Sequence, residues 1–391
     1  MRIFYFTICA LFLLSCNNDT ESVTENNEPF LDLTEIFNIN FNALPNYSNQ
    51  YIPVYITKDN TPNNNPITNS GATLGRILFY DTNLSANNTV SCASCHAQEH
   101  AFSDTNSVSQ GINGQTGRHS MRLINSRFSN EVNFFWDERA NSLETQTSMP
   151  IQDHIEMGFS GADGDLNIND LITKLNTIEY YPVLFNSAFG STEITEIKLQ
   201  KALAQFVRSI QSFDSKYDEG RLLVNNDAQP FSNFTQMENQ GKNLFIQPPN
   251  FNNQGMRVSG GIGCNGCHQA PEFDIVPNTL NNGVIGTADG LATDLNVTRS
   301  PSLRDIVKLN GESNGPFMHI GISNNLLTVV EHYNVINIAG NSNLDPKLRP
   351  NGFGQQLNLT QAEKSAVVAF LRTLSGTDVY VNDMWSNPFI Q

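Results

Sequence analysis

The sequence has few cysteines, and none is left over for a structural disulfide. Cys9 and Cys16 lie in an apolar N-terminal stretch, and the other four of the six belong to two Cys-x-x-Cys-His motifs, 92–96 and 264–268. A small disulfide-stapled scaffold is therefore excluded. At 391 residues, the chain is long enough to bury two cores of ordinary size.

Basic residues are also scarce. The chain has 22 Lys and Arg against 38 Asp and Glu, which gives a formal net charge of -16. Such a surface would repel the phosphates of nucleic acid, so the sequence excludes nucleic-acid binding as a main function. The same charge favours the approach of a basic protein partner, although acidic surfaces can also serve solubility alone.

No apolar run after the N-terminus approaches the roughly 20 residues that a transmembrane helix needs. The short apolar run after Arg2 ends in Leu-Leu-Ser-Cys16 and resembles a bacterial lipobox. We predict a lipoprotein signal peptide over 1–16, lipidation of Cys16 and a disordered tether over 17–34. An ordinary signal peptide with an incidental cysteine is the alternative. Either way, the protein is expected in the bacterial cell envelope, facing the periplasm.

Long stretches of alternating apolar and polar residues are absent too, which argues against a major β-sheet. Helical periodicity is present instead. The clearest case lies in 194–212, where apolar residues recur at helical spacing: Leu199, Leu203, Phe206 and Ile210. A further helix is predicted to begin at a capping box formed by Thr360 and Glu363. The predicted fold class is mainly α.

The two Cys-x-x-Cys-His motifs are typical of covalent haem attachment. Their thiols can form thioethers to the two vinyl groups of a haem, and the adjacent His can then bind the iron. A zinc site is the less favoured interpretation, since zinc-binding Cys pairs are usually closer together and need no adjacent His. A redox disulfide would need neither the His nor a second copy. We therefore predict two haem c groups, attached through these residues: Cys92, Cys95 and His96, and Cys264, Cys267 and His268.

Further motifs lie between and after the haem motifs. Phe-Phe-Trp136-Asp-Glu-Arg is followed by Gln146, Pro150 and Glu156-Met-Gly, and later by Gly-Pro-Phe-Met-His319. In these residues the sequence resembles the bacterial di-haem cytochrome c peroxidase family, including its MauG-like branch. The resemblance implies two cytochrome-c-like domains, each with one covalently bound haem c. We place the peroxidatic domain at 35–190 and the electron-transfer domain at 191–391.

The resemblance also implies roles for single residues. His96 matches the proximal ligand of the peroxidatic haem, and His268 that of the electron-transfer haem. Trp136 matches the tryptophan between the two haems, while Gln146 and Glu156 match polar residues over the open face of the peroxidatic iron. A carboxylate there can move a proton between the two peroxide oxygens, a contribution of about 10²–10⁴-fold. Without the motif, Glu156 would be read as a solvated acid and Trp136 as a core residue.

Some positions depart from the family pattern. Ile112 stands where reductively activated peroxidases have a distal His on the loop after the first haem. Because Ile cannot bind iron, the first haem is expected to be open without prior reduction. His100 is expected at the surface. His119 stands where the family usually has Asn beside a calcium site, which weakens the expectation of one calcium ion near Thr298.

The second haem needs a ligand opposite His268, and two candidates follow it. The family's distal position falls at Tyr333, which is Tyr in MauG-type enzymes and Met in the other peroxidases. Met318 is the rival, because thioethers also bind low-spin haem iron. The choice matters because Met raises the reduction potential of a haem. The third alternative is a second haem that has no side-chain sixth ligand.

Three functions remain compatible with the sequence. The first is a di-haem peroxidase that reduces hydrogen peroxide to water with electrons from a small cytochrome c or copper protein. The second is a MauG-like oxidase that uses high-valent haem iron to modify a partner protein. The third is a di-haem electron-transfer protein without catalysis, which Gln146 and Glu156 oppose, because a carrier needs no acid or base over an open iron.

Overall fold

Helices are the main regular secondary structure of residues 32–390, the part of the chain that this computed structural model describes. The prediction of a mainly α fold is confirmed. The predicted signal peptide 1–16, Cys16 and most of the tether 17–34 lie outside the described residues. The α-helices in chain order are α1 (Asn69–Tyr80), α2 (Cys92–Cys95), α3 (Leu143–Ser148), α4 (Ile168–Asn176), α5 (Tyr180–Phe189), α6 (Glu196–Ser209), α7 (Lys216–Arg221), α8 (Gln236–Ile246), α9 (Leu326–Asn334), α10 (Gln361–Arg372) and α11 (Asp378–Val381).

Four short strands form two hairpin-like pairs. β1 (Pro249–Phe251) runs antiparallel to β2 (Arg257–Gly260), and β3 (His268–Gln269) runs antiparallel to β4 (Asp274–Ile275). Both pairs flank the second haem motif. Within residues 32–390, no helix has both the length and the apolar content that crossing a bilayer requires.

Several helices begin where their caps predict. Thr360 accepts a hydrogen bond from the Glu363 amide at 3.2 Å, and the Glu363 carboxylate accepts from the Thr360 amide at 2.9 Å. This confirms the predicted capping box at the start of α10. Thr235 and Glu238 form the same reciprocal pair at the start of α8. These bonds satisfy amides that have no partner inside the helix.

Two helix pairs form the centre of the fold, and both depend on a glycine. α1 packs on α6, and a Cβ on Gly75 would overlap the carbonyl oxygen of Ala202. α8 packs on α10, and a Cβ on Gly241 would overlap the carbonyl oxygen of Ala366. In each pair, two helix backbones are therefore in direct contact. α1 precedes the first haem motif in the chain, and α8 precedes the second.

The buried residues form two main cores, and the chain passes from the first to the second between Ile210 and Tyr217. α6 packs in the first core, although it follows the predicted domain boundary at 190/191, because its apolar stripe lies on α1. The division into two domains stays a prediction. Residues from 33 onward form one compact unit that contains both cores.

The C-terminal segment also packs in the first core, although the sequence analysis placed it in the second domain. Val379 and Trp385 are buried there, and Phe389 pairs with Phe37 near the start of the described chain. Tyr80 of α1 donates a hydrogen bond to the Trp385 carbonyl at 2.7 Å. The chain thus crosses from the first core to the second and returns.

Candidate functional site

The first haem motif forms a single helical turn with its histidine at the end. Cys92–Cys95 is α2, and the His96 amide donates to the Cys92 carbonyl at 2.9 Å. The His96 ring places Nδ1 3.1 Å from the Phe102 carbonyl oxygen. Burial lowers the pKa of His96, which favours the neutral ring. With Nδ1 as the donor, Nε2 keeps the lone pair that an iron ligand needs.

The second motif repeats this arrangement with different local structure. Cys264–Gly266 forms a 3-10 turn that Gly263 enters at φ 74°, a left-handed conformation that favours glycine. The His268 ring places Nδ1 3.0 Å from the Pro301 carbonyl oxygen, and burial lowers the pKa of His268 to about 4. This imidazole is also neutral, with Nε2 free to act as a ligand.

The four cysteines form no disulfide within residues 32–390 and line cavities beside these histidines. Burial raises the pKa of Cys92 and Cys264 to about 12 and that of Cys95 and Cys267 to about 11. Two thiols and one neutral imidazole thus face a cavity in each half. This donor set fits a covalently attached haem.

Two adjoining cavities of about 330 and 80 Å³ lie beside the first motif. Both are lined by His96, by Gln146 and Glu156, which the sequence analysis assigned to the open face of the iron, and by Pro150 of the same motif. α3 positions Gln146, and Ser142 caps this helix by accepting from the Thr145 amide at 3.1 Å. The structure therefore brings the predicted residues of the first site together.

Glu156 is a half-buried acid whose carboxylate has no hydrogen-bond partner within residues 32–390. Burial, and to a smaller extent the nearby Asp153 carboxylate, raise the pKa of Glu156 to about 7, while Arg139 opposes the shift. Asp153 also fixes the loop, because it accepts from the Glu156 amide at 2.9 Å. A carboxyl group with this pKa exchanges protons near neutral pH.

Ile112 packs against the same loop rather than into the cavities. Its amide donates to the Glu156 carbonyl at 3.1 Å, and a Cβ on Gly158 would overlap its Cδ1. Neither Ile112 nor His100 lines the two cavities beside His96. The loop that would carry a distal His in this family therefore presents an apolar side chain to its neighbours.

Trp136 lies between the two halves. It lines the 330 Å³ cavity of the first motif and a 140 Å³ cavity beside His268. Its indole Nε1 donates to the His119 carbonyl at 2.7 Å, and its own carbonyl accepts from the Thr298 and Arg299 amides. Backbone contacts on both sides thus hold the ring between the cavities.

His119 is buried beside Trp136. Its Nδ1 lies 2.9 Å from the Asn106 carbonyl and its Nε2 lies 3.2 Å from the Ser103 hydroxyl. Burial lowers the pKa of His119 to about 4. Both ring nitrogens are therefore engaged with protein atoms. Within residues 32–390, no three His, Cys, Asp or Glu residues are grouped as metal ligands. The calcium ion stays a prediction.

The two candidate sixth ligands of the second haem lie close together. Tyr333 and Met318 both line the 140 Å³ cavity with His268, and Tyr333 also lines a 350 Å³ cavity with Cys264 and Cys267. Burial raises the pKa of Tyr333. The choice between the two side chains stays a prediction, because both are placed where the sequence analysis expected a ligand.

One residue that the sequence analysis missed connects these candidates. The Asn282 amide nitrogen lies 3.2 Å from the Tyr333 hydroxyl and 3.4 Å from the Met318 sulfur. The Asn282 carbonyl lies 2.9 Å from Nε2 of His332, the neighbour of Tyr333. Asn282 stands in an Asn-Asn-Gly run that reads as an ordinary turn, so no local signal identifies it.

Sequence comparison shows that the chain is similar to di-haem peroxidases and to MauG proteins. Residues 69–227 match the sequence model described as "Di-haem cytochrome c peroxidase". The methylamine utilization protein MauG of Methylorubrum extorquens is 30% identical over 332 residues, covering 80% of this chain and 80% of that protein. The cytochrome c551 peroxidase of Nitrosomonas europaea is 28% identical over 337 residues, covering 83% and 84%.

Solved structures show the same fold. A MauG-like protein associated with microbial copper homeostasis aligns with a TM-score of 0.66 at 27% identity, covering 87% of this chain and 99% of that one. A diheme peroxidase from Burkholderia thailandensis aligns with a TM-score of 0.55 at 21% identity, covering 82% and 90%, which shows the fold alone.

Proposed function

The chain belongs to the di-haem cytochrome c peroxidase family, and from that premise we propose that it reduces hydrogen peroxide to water with electrons from a small redox protein. The observation that carries this proposal is the pair Glu156 and Gln146, which line both cavities beside His96. The relatives that are named cytochrome c peroxidases support it.

Each half would hold one haem c. In the first, the Cys92 and Cys95 sulfurs would attach the group and His96 Nε2 would bind its iron; in the second, Cys264, Cys267 and His268 would do the same. When bound, haem c supplies an iron that can bind peroxide in one half and pass electrons in the other.

Glu156 moves the proton in this proposal. Its carboxylate would accept a proton from one oxygen of peroxide and return it to the other, which would leave as water when the O–O bond breaks. Two electrons from the donor protein and two protons from solvent would then convert the remaining oxygen to the second water. The pKa of about 7 suits both tasks, because the charged and neutral forms are both populated at neutral pH. The missing protein partner of the carboxylate leaves its oxygens available for the substrate.

Gln146 and Trp136 have supporting tasks. The Gln146 side chain has no hydrogen-bond partner within residues 32–390, so its amide is free to orient peroxide or water over His96. Trp136 offers an aromatic ring between the two cavities, at the place where electrons from the second half must cross. Its backbone contacts hold that ring in one orientation.

Glu156→Gln tests the proposal. Steady-state turnover of hydrogen peroxide with a reduced small cytochrome is expected to fall by about 10²–10⁴-fold, because the amide cannot take up the proton. Glu99→Gln is the matched control, since Glu99 is exposed and lines neither cavity. Equal turnover in the Glu156 variant and the control would refute the role of Glu156.

A MauG-like oxidase that modifies a partner protein is the second candidate. Ile112 in place of a distal His and the Tyr333–Asn282 contact favour it, and two relatives carry the MauG name. Absorbance spectra after one equivalent of peroxide separate the two functions. A change at both haems that persists without donor supports the oxidase, whereas rapid return to the starting spectrum supports the peroxidase. An electron carrier is disfavoured, since it has no use for Glu156.

We further propose that the protein is exported and anchored by a lipid on Cys16, facing the periplasm. The Leu-Leu-Ser-Cys16 sequence supports this proposal. Cell fractionation tests it. The unaltered protein is expected in the membrane fraction, and Cys16→Ser is expected to move it to the soluble fraction or leave it unprocessed. A soluble unaltered protein would refute the anchor.

A further inference from the structure

Arg122 is a partly buried cation between the cavities beside the two haem motifs, and no carboxylate within residues 32–390 pairs with it. It lines both the 330 Å³ cavity beside His96 and the 140 Å³ cavity beside His268. Among the described residues its side chain makes one hydrogen bond, from Nη2 to the Asn314 carbonyl at 2.7 Å. Its Nε is shielded from solvent and has no partner within residues 32–390.

Other arginines that line these cavities form ion pairs with carboxylates. Arg118, which lines the first cavity, pairs with Asp294 at 2.8 Å. Arg299, which lines both cavities, pairs with Asp274 at 3.2 Å. Arg122 makes no ion pair with any described residue. Within residues 32–390, Arg122 is therefore the one arginine lining these cavities that has no ion pair.

An unpaired buried guanidinium is unfavourable, because removal from water costs the charge its hydration. That cost is offset when an anion with matching geometry completes the site. A guanidinium matches a carboxylate in particular, since its N–H groups form two parallel hydrogen bonds. The group expected in these cavities brings carboxylates with it, because every haem c carries two propionates.

We propose that Arg122 binds a haem propionate between the two cavities and thereby sets the reduction potential of that haem. This inference rests on the proposed function only in requiring that haem c occupies the cavities. The Nε atom and the second terminal nitrogen supply the donors, while the Asn314 carbonyl fixes the guanidinium from the opposite side. A positive charge there favours the reduced haem, since reduction adds a negative charge nearby.

Potentiometric titration of the holoprotein tests the inference. Arg122→Gln is expected to lower the midpoint potential of at least one haem, and Arg122→Lys is expected to keep most of the parent value because the charge remains. Arg372→Gln is the matched control, since Arg372 is exposed and lines none of the cavities described. Unchanged potentials in Arg122→Gln, or an equal fall in the control, would overturn the proposal.

A crystal structure of the unaltered holoprotein gives a second test that needs no variant. A propionate oxygen within hydrogen-bond distance of the Arg122 guanidinium supports the proposal, and a guanidinium that contacts only water or the protein overturns it. Both readouts are independent of peroxide turnover. A protein that proved inactive with peroxide would therefore still report on Arg122, and an active protein could still refute it.

Discussion

The two halves of the molecule carry the same haem-attachment motif, but different side chains line the cavities beside the two motifs. In each half a His Nδ1 contacts a backbone carbonyl and leaves Nε2 for a metal. Gln146 and Glu156 line the first cavity, and their side chains have no hydrogen-bond partner in the described part of the chain. Over the second stand Tyr333 and Met318, which share one amide donor.

This difference teaches that the attachment motif does not decide the task of a haem. The task depends on side chains supplied from elsewhere in the chain. An unpartnered acid can exchange a proton with a substrate, whereas an oxygen or sulfur held toward the iron can close the coordination site. The comparison predicts that each half can be altered without changing the other's chemistry.

The largest expected effect comes from removing one attachment pair at a time. Replacing Cys92 and Cys95 by Ala is expected to leave one covalent haem and abolish peroxide reduction. Replacing Cys264 and Cys267 by Ala is expected to leave one haem and block electron entry from the donor. Intact-mass spectrometry gives the haem count. Two covalent haems in either variant would contradict the assignment.

The next largest effect is expected from replacing the two candidate sixth ligands of the second haem. Tyr333→Phe is expected to change the ferric electron paramagnetic resonance signal of the second haem and to leave that of the first unaltered. Met318→Leu is expected to change neither signal if Tyr333, at the family's distal position, is the ligand. The opposite pattern would make Met318 the ligand. No change in either variant would leave the second iron without a side-chain sixth ligand.

The pH dependence of turnover tests whether the acid that lines the first cavity controls the reaction. Because the pKa of Glu156 is raised from 4.5 to about 7, its carboxylate is lost as the pH falls through 7. kcat/KM is expected to fall about tenfold per pH unit below 7 and to level off above it. Glu156→Gln should abolish this dependence; a profile that survives the substitution would assign it to another group.

The same shift has a consequence for stability. Since the folded state holds this proton more tightly than the unfolded state, the stabilisation is full below pH 4.5 and is lost as the pH rises through about 7. Glu156→Gln is therefore expected to flatten the change of melting temperature between pH 5 and 8.

The smallest expected effect concerns the close helix contact at a glycine that both halves share. Gly75→Ala and Gly241→Ala are each expected to lower the free energy of unfolding by roughly 1–2 kcal/mol, because overlap with a facing carbonyl outweighs the gain in helix propensity. Gly286→Ala is the control, since nothing lies within 4 Å of its added Cβ. Thermal unfolding measures all three. Equal melting temperatures would contradict the close helix contact.

Much of this architecture follows from local sequence patterns. Thr360 and Glu363 cap a helix because both partners lie within one turn. The helix in 194–212 follows from its apolar stripe. The prediction that Gln146, Pro150 and Glu156 belong together came from an ordered set of motifs, and all three line the same cavities.

Contacts between distant segments could not be predicted in this way. Asn282 meets Met318 across 36 residues and Tyr333 across 51, through loops without periodicity. Arg122 reads as one more surface charge until packing encloses it. The packing partner of α6 belongs to the same class of contact: its sequence indicates which face is apolar but not that this face packs in the first core.

The return of the C-terminal segment to the first core joins residues from both ends of the described chain. The Asn38 amide donates to the Pro388 carbonyl at 2.7 Å, and the Ile390 amide donates to the Ile36 carbonyl at 3.0 Å. Contacts between segments so far apart in sequence must close a long loop, which slows their formation. The first core, which also contains Cys92 at its edge, is therefore complete only when the C-terminal segment has packed against it.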